Sequence, residues 1–288
     1  MKQIIVPTDF SDLSQKGLEL AVLLANNIEA RIQLVHVANI DAKHTTLGKE
    51  KVMLENINKD CQNIIDKTKQ LYSGINVDYI IKEGKVYEEV INQANAFKDS
   101  FIVTSTHGAS GWEELFIGSN AYKIVASSTK PVFTLRGETV PKQIKNIVLP
   151  LDNTLETREK VPFTTSLAKL FGAQIHIVTV TESELKDIKL NMEVHAKQVK
   201  AYLDKYDIPS SIDHRTGDNI TDITIEYAKE LKADLISVMT EQEKSLSNIL
   251  LGSYAHQMIN KSPIPVLLFP TRQIGIISDS FKAEGVYY

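Results

Sequence analysis

Ser105-Thr106-His107-Gly108-Ala109-Ser110-Gly111 is a loop with glycines at its fourth and seventh places, and Gly118-Ser119 follows it at the start of a predicted helix. Glycine lets a backbone take positive φ and approach a ligand closely. A helix opening at Gly118-Ser119 presents unpaired N–H groups and the positive end of its dipole, which suits an anion such as a phosphate. Ser119 could cap that helix or donate to a phosphate oxygen. An acid, Asp9, stands directly after the first predicted strand in Pro7-Thr8-Asp9, and Val37-Ala38 stands after the second. If the strands form a doubly wound sheet, all three segments meet beyond the carboxyl ends of the strands, where such sheets bind ligands.

Each of these residues also has a plainer reading. Asp9 could cap the first helix, as Ser11 could, and cap and ligand contact both stand. His107 could meet a phosphate or only make a turn. His36, in an apolar strand, reads as a hydrogen-bonded core histidine, and Cys61, on the apolar stripe of a helix, reads as core. Trp112 could cover a pocket or pack at an interface. The glycines alone would be turn glycines; their spacing lifts them above that.

The elements that would position this chemistry come in two copies. Ile4-Ile5-Val6-Pro7-Thr8-Asp9 is answered by Ile147-Val148-Leu149-Pro150-Leu151-Asp152, Gly118-Ser119 by Gly252-Ser253, and Pro131-Val132 by Pro265-Val266. Such internal repetition is read before anything else. The pattern predicts strands at Gln3–Val6, Ile32–Val37, Val77–Ile81, Phe101–Thr104 and Val132–Leu135, and again at Ile147–Leu149, Ile175–Val180, Ser211–His214, Leu235–Met239 and Val266–Phe269. Amphipathic helices lie between them, the first from about Asp12 with Ser11 as its N-cap. Near-continuous apolar strands alternating with helices predict an α/β fold of two tandem doubly wound domains, each a five-stranded, mostly parallel sheet with helices on both faces. The domains are expected at 1–137 and 143–272, joined by a linker near Gly137–Lys145, with 273–288 as a C-terminal tail. Pro162 should kink or shorten its helix. The two fifth strands are expected to pair and so remove two exposed edges.

With these residues on the page, the chain resembles the universal stress protein family. ATP-binding members carry G-x2-G-x9-G-[S/T], and here the same spacing runs from Ser105 through Gly108 to Gly118-Ser119, with serine replacing the first glycine. Pro7-Thr8-Asp9-Phe10-Ser11 and Leu34-Val35-His36-Val37 also look like the family's opening strands. The resemblance covers both halves. It implies a Rossmann-like fold of the adenine nucleotide alpha hydrolase type. It also implies ATP or a related adenine nucleotide, with Mg²⁺ as a companion, as cofactor in domain one. Carried over by position, Pro7, Thr8, Asp9 and Val37 would face adenine and ribose. Ser105, Thr106, His107, Gly108, Ala109, Ser110 and Gly111, with Gly118, Ser119, Asn120 and Ala121, would cradle the phosphates. The second copy departs from the pattern, with Met239 and Gln242 at the first two glycine positions and Glu241 and Glu243 alongside. It is expected to bind triphosphate poorly and to serve domain one as a built-in dimer partner.

Other chemistries are excluded. No P-loop, G-x-G-x-x-G or G-x-S-x-G motif occurs, and no His and Cys cluster has metal spacing. The chain has 288 residues with 32 Lys and Arg against 36 Asp and Glu, a net charge of −4, which speaks against a nucleic-acid surface. One cysteine permits no intrachain disulfide and fits a cytoplasmic setting. No run reaches the roughly 18 apolar residues of a membrane span. The expectation is a cytoplasmic stress-response regulator with no more than slow ATP hydrolysis, forming an intramolecular pseudo-dimer and able to associate as a homodimer. A nucleotide-free interaction protein on the same fold is the alternative, and a nucleotidyl transferase lacks its signature loops.

Overall fold

A computed structural model describes residues 2–38, 47–106, 118–137, 139–152, 156–181, 186–240, 243–244 and 249–270. The expectations placed on His107, Gly108, Ala109, Ser110, Gly111, Trp112, Glu241, Gln242 and the tail fall outside these residues.

The first half runs β1 (Lys2–Pro7), α1 (Asp12–Ile28), β2 (Ala30–Ala38), α2 (Leu47–Leu71), β3 (Val77–Glu83), α3 (Val86–Asn95), β4 (Ser100–Ser105), α4 (Ser119–Ser127) and β5 (Val132–Leu135). The second runs β6 (Asn146–Leu151), a 3-10 turn (Glu156–Arg158), α5 (Val161–Phe171), β7 (Gln174–Thr181), α6 (Lys186–Lys205), β8 (Ser210–Thr216), α7 (Ile220–Glu230) and β9 (Leu235–Met239). It ends with a two-residue hairpin β10 (Glu243–Lys244) and β11 (Ile249–Leu250), α8 (Ser253–Lys261) and β12 (Val266–Phe269).

Ten strands form one sheet in the order β3-β2-β1-β4-β5-β12-β9-β6-β7-β8. Every neighbouring pair is parallel except β5 and β12, which meet antiparallel with Val266 opposite Thr134 and Leu268 opposite Val132. Each half therefore has the order 3-2-1-4-5, and the seam joins their inner edges. Strand alternation feeds two cores. Ile4, Val6, Phe133, Leu135 and Leu267 face α1, α2, α5 and α6, while Ile5, Val132, Val266 and Leu268 face α3, α4, α7 and α8. Both cores run through both halves, so the seam is apolar on each face.

Local chemistry sets the element ends. Ser11 caps α1, as its sequence position suggests, accepting from Ser14 N. Pro162 falls in the first turn of α5, where its missing N–H costs nothing; the helix starts there and spans 11 residues against 17 in α1. The second copy is shorter between its second and third strands, and part of that difference lies in α6, which has 20 residues against 25 in α2. The segment read as a plain linker is anchored at its end. Ile144 is buried in the core, and Asp234 Oδ2 accepts from Lys145 N at 2.7 Å and Asn146 N at 2.9 Å. Among the described residues, no helix is long and apolar enough to cross a membrane.

Two outcomes follow for stability. Phe133, fully buried on β5 and 5.2 Å from the Phe101 ring, should cost about 3–5 kcal/mol on truncation to alanine. Val52→Ala, at a 56% exposed site, should stay within about 0.5 kcal/mol. Urea denaturation of both variants checks this. Cys61 is buried, and burial, with Asp60 adding to it, pushes its thiol up to about 11. A maleimide at pH 8 should leave it unmodified in the native protein and label it fully in denaturant.

Candidate functional site

β1 ends at Pro7, and Thr8 N adds one more bond to Val35 O at 3.0 Å before the chain turns away. The turn is braced by its own side chains. Thr8 Oγ1 accepts from Phe10 N at 3.1 Å and lies 3.2 Å from Ser14 Oγ. Asp9 Oδ1 accepts from Ser11 N at 3.1 Å and from Ser11 Oγ at 2.5 Å. Phe10 takes φ 65°, a left-handed conformation that costs a bulky residue about 1–2 kcal/mol. Its ring stacks on His36 with centroids 4.4 Å apart and planes 20° apart, and His36 Nδ1 lies 2.9 Å from Thr8 O. Asp9 is thus neither the helix cap nor detached from it: Ser11 caps, and Asp9 orients Ser11 while its exposed carboxylate stays at the surface of the turn.

The second wall comes from β4 and α4. Thr106 N donates to Leu135 O at 2.9 Å, and Gly118 N returns to Thr106 O at 2.5 Å, so the chain re-enters where it left the sheet. Gly118 is the N-cap of α4 and makes no side-chain cap. Ser119 is therefore the first helical residue and does not cap, and the amides of the first turn have no partner within the helix. Ser105 ends β4 in extended register with Leu135 and is not among the residues with positive φ. Serine at this glycine position thus carries no backbone strain. α1 crosses just behind it at Gly17, where a Cβ would sit 3.5 Å from Ser105 N.

Between the walls lies a cleft of about 350 Å³ at the switch point between β1 and β4. Of the sequence-predicted residues, Pro7, Thr8, Asp9, Val37, Ser105, Thr106, Gly118, Ser119, Asn120 and Ala121 all line it. So do Ser14, His36, Val86, Thr104 and Ile124, which the sequence reading left out. His36 is hydrogen-bonded as expected, yet it is half-buried at the cleft rather than in the core. No lysine or arginine is among the described lining residues. An anion there would be met by amides and a helix dipole rather than a side-chain cation. Nearby on α3, hydrogen bonds from Lys85 and Tyr87 hold the exposed Glu88 carboxyl below its ordinary range, and Lys123 Nζ lies over the Tyr87 ring at 5.2 Å. Among the described residues, no group of three potential metal ligands occurs.

The second half repeats the scaffold and changes the side chains at the matching corner. Gly252 N returns to Thr240 O at 3.1 Å, as Gly118 does to Thr106. Leu151 replaces Thr8, Met239 replaces Ser105 and Met258 replaces Ile124, each buried. Lys160 replaces Gly17, is 2% exposed and donates to Thr157 Oγ1 at 2.9 Å. The two halves touch near these corners: Leu251 N donates to Tyr122 Oη at 3.4 Å, and the Tyr122 and His256 rings meet edge to face at 5.4 Å.

A parallel sheet wound twice, with a cleft at its switch point, defines a Rossmann-like fold. Comparison with known proteins gives the family. The universal stress protein profile matches residues 1–136 and 143–270, and the chain belongs to the universal stress protein family in its tandem form. It is similar to universal stress protein YxiE of Bacillus subtilis, 29% identical over 46% of this chain and 98% of that one. It is also similar to universal stress protein Slr1230 of Synechocystis, 20% identical over 93% of this chain and all of that one. In fold it resembles a universal stress protein of Archaeoglobus fulgidus, with a TM-score of 0.74 at 20% identity, covering 94% of this chain and 98% of that one.

The geometry separates two roles of Asp9. Asp9→Asn keeps an oxygen for Ser11 and should hold stability within about 0.5 kcal/mol. Asp9→Ala removes the brace and should cost about 1 kcal/mol. Thermal melts of the two variants check this.

Proposed function

We propose that the domain-one cleft binds ATP or a related adenine nucleotide, one per chain, and that the protein is a cytoplasmic stress-response regulator whose partner contacts change with occupancy. The carrying observation is that the first-turn amides of α4 and the Thr8–Asp9 turn line one cleft of about 350 Å³, in the size range of small-molecule sites. In this reading Pro7, Thr8, Asp9 and Val37 take adenine and ribose, and Ser105 and Thr106 with Gly118 to Ala121 take the phosphates. His107, Gly108, Ala109, Ser110 and Gly111 complete the cradle in the same proposal.

Asp9 is the one carboxylate among the described lining residues, and its Oδ1 already serves Ser11. A Mg²⁺ accompanying the nucleotide would rest mainly on the phosphates, with Asp9 as its protein-side neighbour. Among the described lining residues no second acid stands beside it to activate a water, so in this reading hydrolysis is slow at most. Domain two, with the apolar Leu151 and Met239 in place of Thr8 and Ser105, acts in this reading as a built-in partner rather than a second site. The domains in this proposal are 1–137 and 143–272, and the chain can pair further as a homodimer. A second reading, a nucleotide-free interaction protein, draws on the degenerate motif of the second copy and on serine at position 105.

Gly118→Asp separates these readings. Gly118 has φ −58° and ψ 139°, which any residue can adopt, and aspartate is a favoured N-cap, so the fold is retained. Its carboxylate would stand where the phosphates are held. Calorimetry should give one ATP per wild-type chain and an affinity at least about tenfold lower in the variant. Equal affinities would contradict the site, and no binding by wild type would favour the second reading.

A further inference from the structure

The nucleoside half of the cleft is held by a side chain that no sequence motif singles out for binding. We infer that His36, clamped with Phe10, is a positioning residue that fixes the Thr8–Asp9 turn so that Asp9 can read the hydroxyls of a ribose; this rests on the nucleotide reading above. A carbonyl oxygen only accepts, so the contact between His36 Nδ1 and Thr8 O at 2.9 Å makes Nδ1 the donor and fixes the tautomer. The same imidazole stacks on Phe10 at 4.4 Å. One ring therefore holds both sides of Asp9: the carbonyl before it and the aromatic side chain after it. Phe10 sits at φ 65°, which a phenylalanine keeps only when its surroundings over-determine it. Those surroundings are the His36 stack and the bond from Phe10 N to Thr8 Oγ1 at 3.1 Å.

The chain contains its own comparison. In the second half, Thr179 takes the place of His36 and turns instead to His214 Nδ1 at 2.6 Å on β8. Leu151, at the Thr8 position, has no hydroxyl and is buried. The half that lacks the clamp is also the half with Leu151 and Met239 where the cleft-lining Thr8 and Ser105 stand in the first. A purely structural histidine would have no reason to vary with the cleft. The clamp also divides the site by function. β1, β2 and His36 set the nucleoside end, while α4 sets the anion end, and the two share no hydrogen bond among those that brace the Thr8–Asp9 turn.

The test is discrimination between ATP and 2′,3′-dideoxy-ATP, measured by calorimetry on the full chain. Wild type should favour ATP by about tenfold, the effect of hydroxyls bonded to a charged acceptor. His36→Leu should lose that preference, binding both about equally. His36→Asn, which keeps a donor near the Nδ1 position, should recover part of it. Phe10→Gly, which relaxes the backbone and removes the stack, should lower the preference while the protein stays folded. Gly118→Asp should weaken both ligands and keep their ratio. A preference unchanged in both His36→Leu and Phe10→Gly would overturn the inference and leave the nucleotide reading intact. Equal wild-type affinity for the two ligands would likewise overturn it. Absence of ATP binding by wild type would overturn the nucleotide reading, and this inference with it.

Discussion

One short backbone bond sets the geometry on which the site depends. Gly118 N reaches Thr106 O at 2.5 Å, so the chain leaves the sheet at the end of β4 and comes back to the same spot to begin α4. That return fixes where the helix starts and aims its unpaired amides at the turn after β1. Without it, α4 could still pack through Ala121, Ile124 and Val125, but its dipole would not be tied to the switch point. α1 lies directly behind the same corner, where a Cβ at Gly17 would make ordinary contact with Ser105 N at 3.5 Å. The cleft is therefore a product of topology, lined by uncharged polar side chains, His36 and the carboxylate of Asp9 beside the start of α4.

The duplication shows how little of the fold must change to alter such a corner. The return bond recurs at Gly252 and Thr240, and the strand order is the same in both halves. What differs is side-chain volume and charge: Leu151, Met239, Met258 and Lys160 stand where Thr8, Ser105, Ile124 and Gly17 stand in the first half. The second half still completes the first. It supplies β12 to cover the edge of β5, and it lies close enough to α4 for Leu251 N to bond Tyr122 Oη. An exposed strand edge in the middle of an apolar sheet would invite association, and the antiparallel seam removes it.

Much of this was legible in the sequence, and the misses have physical causes. β5, β9 and β12 match their predicted spans, Val132–Leu135, Leu235–Met239 and Val266–Phe269, and the other principal strands contain theirs, because buried strands are continuous apolar runs. Ser11 was readable as a cap from its place before a helical stripe. The β10–β11 hairpin was not, since two-residue strands carry no periodicity. In the site, glycine spacing and the acid after β1 pointed to Pro7, Thr8, Asp9, Ser105, Thr106 and Gly118 to Ala121, but not to Ser14, Val86, Thr104 or Ile124. His36 was placed in the core because strand alternation cannot tell a core face from the rim of a cleft at a strand's end. Met239 announced the change in the second half. Leu151, Met258 and Lys160 did not, because the space each one fills is set by elements distant in sequence.

The central claim is that the first-turn amides of α4, and not those of α8, receive an anionic nucleotide. Amide chemical shifts in an ATP titration of the labelled chain test it most directly. The account predicts shifts at Ser119, Asn120 and Ala121 that saturate together at one equivalent, with Ser253, Tyr254 and Ala255 unmoved. Equal shifts at both helix starts, or none at α4, would contradict it.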